Sequence, residues 1–226
     1  MTVNELDGFY AQILNCIETY GLFTLKDVDG RHPWPEQGVY FFFDRNEPNP
    51  GLGLPGRIVR VGSHGVAANK NSALWARLRQ HRGSLKNGGG NHRCSIFRWH
   101  IGTAIEGMPP SWLNRNTSNS EVARLEHKHE CFVSDYIREL SFTVIKILGT
   151  PSKDCQRAVF ERECIAFLSW AGQNGLIKTG NKWLGLQTVN DKIKKSGLWN
   201  VKDVWKQEQP LPCPPIWPSL KDFRKC

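Results

Sequence analysis

The sequence predicts a mixed α/β (α+β) domain with a small central sheet, mixed or antiparallel, of about three to four strands flanked by helices. Two observations support this class. Helical and strand patterns alternate along the chain, and apolar residues make up 39% of it, including nine Trp and eleven Phe, which is typical of a folded core. A chain of 226 residues suffices for one large domain. We expect an N-terminal helical extension (1–35), a core (36–175), and a basic, Trp- and Pro-rich C-terminal extension (176–226) packed on the core.

The first elements are one helix and two strands. Residues 4–20 carry an apolar stripe at helical spacing, and Gly21 follows as a stop signal. The stripe consists of Leu6, Tyr10, Ile13, Leu14 and Ile17. The segments GVYFFFD (38–44) and RIVRVG (57–62) are short, aromatic or β-branched, and bounded by turn formers, so they predict strands. Because side chains alternate along a strand, Val39 and Phe41 point to one face of the sheet and Tyr40 points to the other.

The middle of the chain predicts a helix and a third strand. SALWARLRQH (72–81) places Leu74, Trp75 and Leu78 on one helical face. A basic, glycine-rich loop then leads into CSIFRWHIG (94–102), which we interpret as a strand.

The second half of the core predicts a long helix at 118–140, a strand at 141–148 and a helix at 152–172. The apolar register of the long helix is Val122, Leu125, Phe132, Tyr136 and Leu140. His129 fits that register, so a buried core histidine is preferred there over a metal ligand. After Gly175 the periodicity weakens and the last residues are rich in proline, which indicates an irregular extension.

Charge and cysteine content restrict the function class. Thirty Lys and Arg against 21 Asp and Glu give a net charge of +9, which favours a polyanionic partner such as nucleic acid; the alternative is an inert basic surface. The seven cysteines form no CxxC pair, as expected for free thiols in a reducing cytosol. The sequence has no apolar run of 18 residues and no signal-peptide pattern, so we expect a cytoplasmic protein without a membrane partner.

Residues 36–175 resemble the catalytic core of the GIY-YIG nuclease family. The family's first strand carries Gly-Ile-Tyr and its second Tyr-Ile-Gly; here the strands read GVY (38–40) and RVG (60–62), and the next helix supplies Arg77. The resemblance implies a metal-dependent DNA endonuclease, of restriction or defence type, that uses Mg²⁺ or Mn²⁺ on double-stranded DNA. It also implies that Arg60 stands in for a tyrosine. Since arginine does not share a proton, we expect Arg60 to stabilise charge on the phosphate.

The chemistry of the matching residues fits phosphodiester cleavage. A tyrosine hydroxyl such as that of Tyr40 can serve as a general base, and the planar fork of Arg77 matches a phosphate. His81 lies one turn after Arg77 on the same face and is a candidate for proton transfer or phosphate binding. The alternatives are a core aromatic for Tyr40 and a solvated basic face for the helix.

Two glutamates compete for the metal-binding role in the segment FERE. At 100° per residue, Glu161 falls within the apolar arc of its helix and Glu163 points away. A carboxylate on a buried face needs a partner, so Glu161 is the predicted metal ligand. An ion pair with Arg157, one turn earlier, is the alternative.

Further residues are candidates for nucleic-acid contact. Six of them lie in or near the basic loop: His64, Lys70, Arg79, Arg82, Lys86 and Arg93. Asn174 is one residue off the distance at which the family places an asparagine after its glutamate. The alternative for the basic residues is that they only keep the loop soluble.

Two other functions of the protein stay open: a non-catalytic nucleic-acid-binding module on the same fold, and an interaction subunit that binds an acidic protein. A homodimer is one arrangement in which a single site per chain cuts both strands.

Overall fold

The computed structural model describes residues 3–49, 51, 53–64, 73–213 and 215–217. Its helices are α1 (Val3–Tyr20), α2 (Leu74–Arg82), α3 (Ile96–Gly102), α4 (Ser120–Glu139), α5 (Gln156–Gln173) and α6 (Asp191–Ser196). Its strands are β1 (Phe23–Thr24), β2 (Gly38–Asp44), β3 (Arg57–Ser63) and β4 (Ser141–Lys146). None of the helices in this part of the chain has the length and hydrophobicity that a membrane span requires.

The four strands form one antiparallel sheet in the order β1-β4-β2-β3. This confirms the predicted fold class. Strand β1 is not among the strands predicted above. It is only two residues long, so its sequence is too short to show the alternation that identifies a strand. A β-bulge interrupts the pairing of β2 with β3, because Phe42 pairs with Arg60 and Phe43 pairs with Ile58. Bulges redirect side chains and are frequent next to active sites.

The predicted third strand at 94–102 is wrong, since Ile96–Gly102 is a helix preceded by a 3-10 turn. Ser95 caps the helix, and its Oγ accepts a hydrogen bond from the backbone N–H of Arg98 at 3.2 Å. Phe97 and Ile101, four residues apart, are both fully buried. In so short an apolar run, alternation and helical spacing describe the residues equally well, and the packing against the sheet decides for the helix.

The sheet is covered on both faces, as the alternation along β2 predicted. Val39, Phe41 and Phe43 belong to a core cluster with α1 and α5. Tyr40 and Phe42 belong to a second cluster with α2, α3 and α4. All five side chains are buried, so Tyr40 lies in the interior between β2 and the helices of the second cluster.

The buried face of α4 differs from the predicted apolar stripe. Leu125 and Phe132 are 55% and 46% exposed. The side chains that α4 buries include Glu126, His129, Glu130, Val133 and Ile137. The predicted register is wrong because it follows apolar residues alone, whereas the buried face of α4 includes two glutamates and a histidine.

Ion pairs explain the burial of the polar residues on α4. Arg93 contacts Glu126 at 2.6 Å, and Nε of Arg98 donates to Glu130 at 3.0 Å. Nε2 of His129 lies 2.8 Å from the carbonyl oxygen of the last residue of α3, so the prediction of a satisfied core histidine is confirmed. These contacts fix the glycine-rich loop and α3 against α4.

The C-terminal segment wraps around the edge strand β3. The backbone N–H of Trp199 donates to the carbonyl of Val59 at 2.7 Å. The side chain of Asn200 pairs with both backbone groups of Val61, at 3.1 and 2.9 Å. The edge of the sheet is thereby covered, and Leu198 and Trp199 join the core clusters on opposite faces. The residues on either side of this contact lie beside the cleft described next.

Candidate active site

A cleft of about 650 Å³ opens at the edge of β3, between α3, α5 and the C-terminal segment. Its polar and charged lining includes Arg60, Ser63, His100, Glu161, Lys192, Lys202 and Asp203. Cations and carboxylates therefore share one concave surface. Such a mixture suits an anionic substrate together with a cation.

Tyr40 lies across the backbone of Gly62, its partner on the neighbouring strand. A Cβ atom at Gly62 would lie 2.7 Å from Cε2 of Tyr40, and closer still to Cζ and Oη. The close approach explains the glycine at this position. It also confines the tyrosine ring to one position, with its hydroxyl directed at α2.

His81 is fully buried beside Tyr40. Its Nε2 is 2.8 Å from Oη of Tyr40, and its Nδ1 is 2.8 Å from Oγ of Ser95. Burial, followed by the charges of Arg77 and Arg60, keeps the pKa of His81 well below its ordinary value. The imidazole is therefore neutral, and in the tautomer that donates Nδ1–H to Ser95, Nε2 accepts the proton of Tyr40.

Arg60 is buried and reaches the cleft from the bulged part of β3. Its Nη1 donates to the carbonyl of Trp199 at 2.9 Å, and its guanidinium carbon lies 5.3 Å from the ring centre of Phe97. Its buried Nε has no hydrogen-bond partner among the described residues. Burial lowers the pKa of Arg60, whereas Tyr40 and Glu161 oppose that shift, so the group keeps its positive charge.

Glu161 faces the cleft, and Oγ of Ser63 donates to its Oε2. Burial raises the pKa of Glu161; the Ser63 hydrogen bond and the charge of Arg60 oppose the rise, and Asp203 adds to it. Glu163, by contrast, lines a separate surface depression beside Trp205. The two glutamates of the FERE segment thus lie in different environments.

Arg157, the alternative partner of Glu161, makes other hydrogen bonds. Its Nε donates to the carbonyl of His64 at 2.7 Å, and its Nη1 donates to the carbonyl of Ile147 at 2.7 Å. Over the described ranges no salt bridge joins Arg157 to Glu161. The carboxylate of Glu161 therefore has room for a cation on its cleft side.

A divalent cation fits this donor set. Magnesium in proteins is usually held by one or two carboxylates, with water and substrate oxygens completing its shell. Glu161 supplies a half-buried carboxylate, and Asp203 lines the same cleft. The described part of the chain has no group of three or more His, Cys, Asp or Glu residues that could hold a metal ion, so a cation at Glu161 would need water or substrate oxygens as its further ligands.

Arg77 lies next to the Tyr40 and His81 pair. Its Nη1 donates to the carbonyl of Cys94 and to Oε1 of Gln80, both at 3.0 Å. Its charge lowers the pKa of both His81 and Arg60. The structure therefore brings Tyr40, Arg60, Arg77, His81 and Glu161 into one region, although their elements are far apart in sequence.

The predicted nucleic-acid contacts are more scattered. Arg79 and Lys86 are exposed on α2 and on the loop after it. Arg82 donates to the carbonyl of Val28 at 3.0 Å. Arg93 is engaged in the ion pair with α4 described above.

The other three candidates differ in position. His64 directly follows β3, and its charge is close enough to lower the pKa of His81. Lys70 lies outside the described residues. Asn174 ends α5, and its Nδ2 donates to the carbonyl of Trp170 at 2.9 Å; it is not among the residues that line the cleft.

Seven charged or polar residues of the cleft were not named individually as site candidates: Ser63, His100, Asn190, Lys192, Asn200, Lys202 and Asp203. His100 belongs to the segment interpreted as a strand. In a helix, Ile96, Trp99 and His100 share one face, and all three line the cleft. Asn190 and Lys192 lie at the start of the short helix α6, and Asn200, Lys202 and Asp203 lie in the irregular segment after it, where no periodicity indicates which side chains face inward.

The family model described as a GIY-YIG domain matches residues 1–211 of the chain. No curated protein and no solved structure matches it. The matched range contains the sheet, the five residues gathered around Tyr40, and the C-terminal segment that forms one wall of the cleft.

Proposed function

The chain belongs to the GIY-YIG nuclease superfamily, and we propose that it is a metal-dependent endonuclease that hydrolyses phosphodiester bonds of DNA in the cleft beside β3. One observation carries the proposal. Tyr40 and the neutral His81 are buried and joined by a hydrogen bond. They lie close to Arg60, which lines a cleft together with the half-buried carboxylate of Glu161.

Tyr40 and His81 supply the proton acceptor. As the oxygen of water forms its bond to phosphorus and the bond to the leaving oxygen breaks, the water gives a proton to Oη of Tyr40. The tyrosine passes its own proton to Nε2 of His81, which lies 2.8 Å away. A neutral imidazole is required for this transfer, and burial beside two arginines keeps it neutral.

The cations of the site stabilise the negative charge that develops on the phosphate. Arg60 is held against the carbonyl of Trp199, so little reorganisation is needed when the phosphate binds. Arg77 is next to the same region and offers further donors. In this proposal Arg60 takes over charge stabilisation, and His81 supplies the proton acceptor that Arg60 lacks.

The metal belongs to the carboxylate side of the cleft. Glu161 would hold Mg²⁺ or Mn²⁺, with Asp203 nearby in the same lining. When bound, such a cation neutralises charge on the phosphate oxygens. The raised pKa of Glu161 supports this role, because its partners Ser63 and Arg60 do not fully offset the desolvation of the carboxylate and a bound cation would favour its charged form.

The proposal includes several finer statements. Residues 36–175 form the nuclease core, and residues 1–35 and 176–226 are additions to it. Double-stranded DNA is the substrate and restriction or defence the role. The basic side chains of the glycine-rich loop contact the DNA backbone. A cytoplasmic location and a homodimer complete the proposal.

Plasmid cleavage tests the proposal. We expect nicking or linearisation with Mg²⁺ and none with EDTA. Tyr40→Phe removes only the hydroxyl, and Glu161→Gln removes only the charge; each should slow cleavage by about 100-fold or more. Glu163→Gln is the matched control, because Glu163 lies outside the cleft, and it should cleave at nearly the wild-type rate. Loss of cleavage in Glu163→Gln but not in Glu161→Gln would overturn the site.

A second candidate function is a nucleic-acid-binding module that no longer cuts. The observation that favours it is Arg60, since this residue replaces the tyrosine of the second strand motif. Salt-sensitive retention of DNA without cleavage under any metal condition would support that module. Absence of DNA binding at low salt would count against both functions.

A further inference from the structure

His100 has no role in the site as described so far, yet its imidazole lines the cleft. The residue is only 3% exposed, and its buried Nδ1 has no hydrogen-bond partner. In the described part of the chain neither ring nitrogen makes a hydrogen bond to protein. Because Nδ1 is the enclosed nitrogen, the ring presents its Nε2 edge to the cleft.

The surroundings of His100 are positively charged. Burial, then the charges of Arg60 and Arg115, lowers the pKa of His100 to about 4. The ring is therefore neutral at neutral pH and carries a single N–H. Nδ1 has no acceptor for a proton, so the tautomer that places the proton on Nε2 leaves no buried donor unsatisfied.

The Nε2–H of His100 faces a positively charged part of the cleft, and such a donor is suited to bind an anion. The charged groups that act on His100 are Arg60 from β3 and Arg115 from the loop before α4. Both would repel a metal ion and attract a phosphate. His100 and Arg60 line the same cleft, so an anion bound there can contact both side chains.

We propose that His100 is a substrate-binding residue of the cleft, whose Nε2–H donates a hydrogen bond to a non-bridging oxygen of the phosphate that is cleaved. This inference rests on the proposed nuclease function. It assigns a catalytic contact to α3, outside the two strand motifs and the two helices that carry the resemblance to the family. A charge-assisted hydrogen bond of this kind is among the stronger ones that proteins make.

Two substitutions separate the hydrogen bond from the packing of the ring. His100→Gln keeps an N–H donor near the position of Nε2, whereas His100→Leu keeps apolar volume and has no donor. Under single-turnover conditions with Mg²⁺, we expect His100→Leu to cleave plasmid DNA roughly 10- to 100-fold more slowly than the wild type. His100→Gln should recover most of the rate, and thermal unfolding of both variants should show that they are folded.

A direct measurement uses inorganic phosphate as the probe. In the ¹⁵N-labelled wild-type protein, the ring signals that disappear in His100→Leu identify His100. We expect the Nε2–H tautomer before addition of phosphate, and a shift of the Nε2 signal during the titration. The binding of Mn²⁺, followed by calorimetry, should be the same in His100→Leu and in the wild type.

The outcomes distinguish this inference from the function on which it rests. If the wild type cleaves DNA but His100→Leu is equally fast, or the Nε2 signal does not respond to phosphate, His100 is not a phosphate contact. If His100→Leu loses Mn²⁺ binding, the residue is a metal ligand and the inference is wrong. If the wild type never cleaves DNA but phosphate shifts Nε2, the nuclease function fails and the anion contact stands.

Discussion

Replacing Gly62 with alanine would put a methyl group where the ring of Tyr40 now lies. The new Cβ would be 2.7 Å from Cε2 of Tyr40 and closer to Oη, whereas ordinary van der Waals contacts begin near 3.4 Å. The ring must therefore move by about 0.7 Å or more. Because Oη is the nearest atom, this movement would disrupt the 2.8 Å hydrogen bond to His81.

The expected loss of stability follows from two contributions. Overpacking in a well-packed core costs about 1–3 kcal/mol, and loss of a buried hydrogen bond adds about 0.5–1.5 kcal/mol. Gly62→Ala should therefore lower the free energy of unfolding by about 2–4 kcal/mol. Its cleavage rate should fall by about 100-fold or more, because the proton acceptor is displaced. Urea titration and single-turnover plasmid cleavage measure the two effects.

Gly8→Ala is the matched control. Gly8 lies in α1, and a Cβ there would meet no atom within 4 Å. Alanine favours a helix over glycine by about 0.5–1 kcal/mol, so this variant should be slightly more stable and fully active. If Gly62→Ala cleaves DNA at the rate of Gly8→Ala, then the hydrogen bond between Tyr40 and His81 does not serve catalysis.

Three further outcomes are expected. The pKa values of His81 and His100 are lower in the folded than in the unfolded chain. The stability they contribute is therefore present above about pH 6.5 and decreases as the pH falls below it, by up to about 1.4 kcal/mol per pH unit for each group; for His100 the decrease ends near pH 4. Urea titrations at pH 7, 6 and 5 would reveal the decrease, and a flat profile would contradict it. Arg57→Met should destabilise the fold by about 3–5 kcal/mol in the same assay, because it leaves the buried carboxylate of Glu47 unpaired; a loss under about 1 kcal/mol would refute that reasoning. Asn200→Ala removes both side-chain hydrogen bonds to β3 and should accelerate hydrogen exchange along that strand; unchanged exchange would mean that other contacts hold the segment.

The strands β2, β3 and β4 were predictable because their signals are local. Alternation along β2 identified which side chains share a face, and the two core clusters follow that division. The helical-wheel argument likewise separated Glu161, which faces the cleft, from Glu163, which does not. Periodicity of 2 or 3.6 residues is an adequate guide wherever one face of an element is apolar.

The failures in α4 and in the C-terminal segment have a common physical cause, which is burial of polar groups by distant partners. The inner face of α4 carries Glu126 and Glu130, and their burial depends on Arg93 and Arg98. Those arginines lie about 30 residues earlier in the chain. A pattern within α4 cannot reveal a partner outside it. The same limit applies to the C-terminal segment, whose place is set by hydrogen bonds from Asn200 to β3.

Arg60 connects the altered strand motif with the C-terminal segment. Its guanidinium donates to the carbonyl of Trp199, and Trp199 in turn donates its backbone N–H to β3. A tyrosine at this position would not offer the same donor fork, so the arginine and the segment stabilise one another. The same segment brings Lys202 and Asp203 to the cleft. Replacement of the tyrosine by Arg60 therefore accompanies a cleft whose wall is built by the extension, and in the proposed mechanism His81, which is hydrogen-bonded to Tyr40, serves as the proton acceptor.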